Sequence, residues 1–117
     1  MAVLISLTPK PVGVSTTGPS AEGDFLDVTG LRVLRMSLRV MGAKITGPTP
    51  AIDFSLEGSM IDKDHGWVTL ALFPTVTAST ESVTVVVEHP MRYLRWNLVT
   101  LTDCSSLYFD LDGIAWT

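Results

Sequence analysis

The stretch Leu31-Arg32-Val33-Leu34-Arg35-Met36-Ser37-Leu38-Arg39-Val40-Met41 decides the fold, because it can be read with either of two periods. With a period of two, Leu34, Met36, Leu38 and Val40 share one face, and Arg35, Ser37 and Arg39 share the other. With a period of 3.6, Leu31, Leu34, Leu38 and Met41 align, and Arg32, Arg35 and Arg39 form an opposite stripe. The helical reading places Val33, Met36 and Val40 close to the arginines and so spoils its own amphipathicity. A strand is the better reading.

The same alternation recurs along the chain. Ile52, Phe54 and Leu56 alternate with Asp53, Ser55 and Glu57, and Val83, Val85 and Val87 with Ser82, Thr84 and Glu88. Leu94, Trp96 and Leu98 alternate with Tyr93, Arg95 and Asn97, and Leu107, Phe109 and Leu111 with Tyr108, Asp110 and Asp112. Residues 3–8, 12–16, 25–29 and 67–73 are further strand candidates. Turn residues recur at short intervals, including Gly30, Gly42, Gly47-Pro48, Gly66, Pro74, Pro90 and Gly113, and leave segments of strand length. A single open sheet would leave one apolar face wet, so the strands must pair as two layers. The expected fold is therefore all-β: an antiparallel two-sheet β-sandwich, jelly-roll-like, of about eight strands. Residues 1–23 read as an N-terminal strand and a Pro/Gly-rich arm, and residues 24–117 as the sandwich domain.

Composition narrows the function classes. The chain has 117 residues, 46% hydrophobic and 17% charged, against about 25% charged in a typical soluble domain. The deficit points to surface that is covered by another molecule. Twelve acidic against eight basic residues give a formal charge of -4, which argues against nucleic acid as a partner. No apolar run approaches the ~18 residues of a membrane-spanning helix, and the N-terminus lacks the basic region of a signal peptide. The single Cys104 can form neither an internal disulfide nor a cysteine-based zinc site.

Candidate chemistry is sparse. Asp62-Lys63-Asp64-His65-Gly66-Trp67 gathers carboxylates and an imidazole beside an aromatic. Alternate carboxylates can wrap a hard cation, but the hydrophobic run that follows supplies no further acid, so an ordinary turn competes with a ligand loop. Asp62, Asp64, His65 and Trp67 are nevertheless the candidate ligand-binding set, Trp67 by stacking on a sugar ring. Asp110 and Asp112 on one strand face could act as an acid–base pair or could simply protect a solvated strand. Cys104 lacks an evident base. Neither a phosphate-binding loop nor a nucleophile elbow occurs, so no catalytic residue, metal or cofactor is expected. The arginines can pair with acids such as Asp53, Glu57, Glu88 or Asp110 across neighbouring strands, or with acids of another subunit.

Two stretches carry a resemblance: Leu56-Glu57-Gly58-Ser59-Met60-Ile61-Asp62 leading into Gly66-Trp67-Val68-Thr69-Leu70 and Phe73, and Met91-Arg92-Tyr93-Leu94-Arg95-Trp96-Asn97 followed by the closing strand through Trp116. Their order resembles small β-sandwich structural proteins of tailed-phage and prophage virions, over roughly residues 25–117. The charged Lys63, Asp64 and His65 depart from the simpler turn of that pattern. The resemblance implies a capsid decoration (cement) protein, made in the bacterial cytoplasm and located in the virion, that binds capsid subunits or sister copies as a homo-oligomer and carries no catalytic residues. Val3, Leu4, Ile5, Leu7, Arg35 and Arg39 are then the expected assembly surface, with the N-terminal strand adding to a neighbour's sheet. The competing expectation is a carbohydrate-binding module or lectin-like domain using Trp67 and the acidic loop.

Overall fold

The structure, a computed structural model, describes residues 1–20, 25–62 and 64–117. The part of the expected arm at 21–24, and Lys63, lie outside the described residues. The chain forms β1 (Ala2–Ser6), β2 (Val12–Val14), β3 (Gly18–Pro19), β4 (Leu26–Asp27), β5 (Val33–Ile45), β6 (Ala51–Ser59), β7 (Val68–Leu72), β8 (Glu81–Glu88), β9 (Tyr93–Thr102) and β10 (Cys104–Trp116). All ladders are antiparallel. In the first sheet β1 and β2 share one edge of β10, followed by β5 and β8; in the second β3 and β4 share one edge of β9, followed by β6 and β7. The fold is an all-β, two-sheet antiparallel sandwich.

The deciding stretch is a strand. Leu34, Met36, Leu38 and Val40 are buried, and Arg35, Ser37 and Arg39 face out. Across the sandwich they meet Ile52, Phe54 and Leu56 of β6 and Leu94, Trp96 and Leu98 of β9 in one core. Three rings fix its centre: Phe54 lies 4.6 Å from Phe109 and 5.8 Å from Trp96, and Trp96 stands edge-on to Phe109 at 5.1 Å. Such tilted and T-shaped packing suits the ring quadrupoles and adds to the burial of large apolar surface.

Two punctuation residues prove to be interior to strands. Gly42 sits within β5 at an irregular register, opposite Tyr108, with open space where a Cβ would lie. Gly113, read from the sequence as turn punctuation, pairs with Ile5 on one side and Met36 on the other. A Cβ there would lie 2.3 Å from the backbone oxygen of Arg35 and 2.6 Å from the sulfur of Met36. Glycine therefore lets β10 lie close against β5. The reversal between β9 and β10 is tighter than the sequence suggests, with Asp103 at a φ of 50° and Cys104 already buried in β10.

Residues 1–20 contribute to both sheets. β1 pairs with β10 from Ala2↔Trp116 to Ser6↔Asp112, and Leu7 and Thr8 are buried. The Thr8 hydroxyl accepts the N–H of Leu111 at 2.8 Å. Of the expected assembly residues, Ile5 and Leu7 pack on the core, whereas Leu4 is 83% exposed. Arg39 is ion-paired with Asp110, its register partner on β10. The hydrogen bond that the Arg39 guanidinium donates to the Asp110 carboxylate raises the arginine pKa further above its ordinary range, and the carboxylate's charge adds to it. Asp112 accepts the hydroxyl of Ser6. Both carboxylates read as a possible acid–base pair are thus engaged by neighbouring strands.

Candidate functional site

The outward residues of the second sheet come from β6 and β9, whose register sets Glu57 opposite Arg95 and Ser55 opposite Asn97. The Arg95 Nε donates to Glu57 Oε1 at 2.7 Å, with both side chains mostly buried. The same guanidinium lies 4.2 Å from the ring centroid of Trp67. A cation over an indole face is drawn by the ring quadrupole, and the ion pair fixes the guanidinium plane. Asn97 reaches Glu57 Oε2 only at 3.5 Å, too long to hold its amide firmly. Beside it the hydroxyl of Ser55 is buried and has no hydrogen-bond partner. The result is a row of aromatic and polar groups from Trp67, just before β7, across β6 and β9.

The row continues toward the start of β9. Tyr93 packs edge-on against Phe25, with centroids 5.4 Å apart, and the Arg92 guanidinium sits 4.9 Å from the Tyr93 ring. Asp27 of β4 is the register partner of Tyr93. Its Oδ1 accepts the N–H of Thr29 at 3.0 Å and the Thr29 hydroxyl at 2.6 Å. These bonds to Thr29, side chain first, hold the Asp27 carboxyl below its ordinary range, and the Arg92 charge adds to them.

The acidic loop is organised around its own backbone. Asp62 Oδ1 accepts the N–H of Asp64 at 2.8 Å and of His65 at 2.9 Å, and the His65 ring nitrogen Nδ1 lies 3.0 Å away. Gly66, at a φ of 73°, then turns the chain into the position from which Trp67 reaches Arg95. A Cβ at Gly66 would also crowd the Ile61 side chain at 2.8 Å. Among the described residues no three acids, histidines or cysteines gather closely enough to hold a metal. The carboxylate of Asp62 is thus directed to its loop, and the ring of Trp67 to the sheet.

The Asp62 carboxyl is held below its ordinary value of 3.8, first by the Asp64 N–H and next by His65. A depressed carboxyl stabilises the fold above the unfolded pKa, and that contribution fades as pH falls through the folded one. The loop is therefore expected to stay intact at neutral pH and to loosen only below about pH 3.8. Amide shifts of Asp64 and His65 followed by NMR from pH 7 to pH 2 test this; a midpoint at or above the ordinary carboxylate value counts against it.

Sequence reasoning named Glu57 among possible partners for the arginines and Trp67 as a stacking residue. It missed Tyr93, Asn97 and Ser55 as their neighbours. The outward alternation of β9 was the available signal, but their grouping needs the cross-strand register. No family model matches the sequence, and no curated protein matches it. Among solved structures, a match extends over 99% of this chain and 26% of the other, at 13% identity and a TM-score of 0.49. That structure is of the CBM22-1–GH10 modules of the N-terminal endo-1,4-β-D-xylanase 10B from Clostridium thermocellum, complexed with xylohexaose.

Proposed function

We propose that this chain is a carbohydrate-binding module whose ligand lies across the outer face of the second sheet. The observation that supports the reading is the Glu57–Arg95–Trp67 row, with Asn97 alongside. A sugar presents an apolar C–H face and a rim of hydroxyls. An indole edge, a guanidinium fixed in plane and a loosely held amide supply an apolar surface and directed hydrogen-bond donors for those two parts. Binding is the whole activity in this reading, because Asp110 and Asp112 are engaged by Arg39 and Ser6. The test is a glycan array followed by calorimetric titration with cello-, xylo-, manno- and laminari-hexaose. At least one class is expected to bind with a dissociation constant below about 1 mM, or −4.1 kcal/mol, and retention of none overturns the proposal.

One observation favours a second reading, in which the chain is a virion structural subunit covered by neighbours. On the outer face of the first sheet the register aligns Leu4, Ile114, Arg35 and Val86 across four strands. Leu4 is 83%, Val86 57% and Ile114 38% exposed. Exposed apolar side chains interleaved with an arginine are the kind of surface that interfaces cover. On this reading the protein self-associates at micromolar concentration, and Val86→Glu returns it to a monomer. Light scattering that gives a monomer mass for the unaltered chain at 100-fold higher concentration removes the idea.

A further inference from the structure

A cavity of about 510 Å³ opens where the 27–31 turn, Met60 and the 90–92 segment meet. Its volume lies within the roughly 300–1,000 Å³ usual for small-molecule sites. Val28, Leu31, Met60, Pro90 and Met91 give it apolar walls, and Asp27 and Arg92 its polar groups. It adjoins the aromatic row, since Arg92 also stacks on Tyr93, the register partner of Asp27. The geometry points to a second binding subsite here for a single neutral sugar residue, so that the protein holds a glycan by its end.

The inference rests on the carbohydrate reading and deepens it. A charged ligand is disfavoured because one carboxylate and one guanidinium leave the cavity close to neutral. Each of the two still has bonding capacity. The hydrogen bonds to Asp27 from Thr29 both fall on Oδ1. Arg92 stacks on Tyr93 and makes no ion pair among the described residues. A pyranose can give a hydroxyl to Asp27 Oδ2, accept from Arg92 and lay its C–H face on the methionines and Pro90. Because the cavity lies beside the start of β9, a chain running along the outer face past Arg95 and Tyr93 would reach it with its last residue.

The test uses the full chain and free monosaccharides, which have an end but no length. Glucose, galactose, mannose and xylose are titrated to 50 mM while backbone amides and Trp indole N–H signals are followed by NMR. One of them is expected to shift Gly30, Leu31 and Met91, with about tenfold weaker binding for Arg92→Ala. Met60→Trp, which fills the mouth at an exposed position, is expected to abolish those shifts while the rest of the spectrum is kept. If only the Trp67 and Arg95 signals respond, the end subsite is overturned and the outer-face reading stands. If only the cavity responds, the subsite stands and the outer-face reading falls. If neither responds to the monosaccharides, the subsite is overturned, and the hexaose titrations decide the outer face separately.

Discussion

Gly113→Val is expected to lower unfolding free energy by about 3 kcal/mol or more, at or beyond the top of the usual range for forcing extra atoms into a packed site. The cause is backbone rather than side-chain crowding. A Cβ at 113 would lie 2.3 Å from the Arg35 carbonyl oxygen, which a rotamer change cannot relieve. Relief requires β10 to draw away from β5 along a ladder that includes Asp112↔Ser37 and Ile114↔Arg35. The sulfur of Met36, 2.6 Å from the same point, is fully buried and has little room to yield. A domain of this size has a total stability of roughly 5–15 kcal/mol, so the loss is a large share of it. Gly42→Ala supplies the contrast. Its Cβ meets nothing within 4 Å and its φ is not in the left-handed region, so the change is expected within about 0.5 kcal/mol of neutral. Urea denaturation compares the two; equal midpoints for Gly113→Val and the parent chain would show that β10 does not depend on this close approach.

Trp67→Ala is expected to weaken glycan binding by about 2 kcal/mol, close to thirtyfold, as stacking surface is lost. The same change leaves Arg95 paired with Glu57, so the fold should persist. Arg95→Ala is expected to be at least as costly to binding, because it removes a donor and leaves the mostly buried Glu57 carboxylate without its ion-pair partner. Trp116→Ala is the control. Trp116 is partly exposed on the other sheet, opposite Val33 and Ala2, and its removal should leave glycan affinity unchanged. Calorimetry on the best-binding hexaose reads all three variants. Equal affinities for the parent chain and Trp67→Ala would mean that the outer face of the second sheet is not where the ligand lies.

The low charge content also has a definite place in the structure. Leu4 and Val86 are exposed near the edges of the first sheet, and Leu72 lies exposed on the edge strand of the second. The sequence signalled this at Val86, which interrupts the polar alternation of β8, and in the run 67–73. It did not reveal that Leu4 and Val86 lie in one row with Ile114 and Arg35, because that row passes through four strands brought together from distant parts of the chain.

The strands themselves were legible because alternation is local: the buried apolar residues Leu34 to Val40 on β5, Ile52 to Leu56 on β6 and Leu94 to Leu98 on β9 each sit two positions from the next, and neighbouring residues must face opposite ways. The all-β class and the two-layer packing follow from that pattern and from the need to bury each apolar face. Glycine was read less well. The residue can mark a turn or admit a close backbone approach, and only the distance from position 113 to the Arg35 oxygen tells the two apart. The candidate site depends still more on tertiary structure. Glu57, Trp67 and Arg95 are separated by 10 and 28 positions in the chain, and nothing in their local sequence states that they meet. Local chemistry thus settled which residues face inward and which outward. The register of β6 against β9, set by the packing of the whole core, decided which outward groups became neighbours.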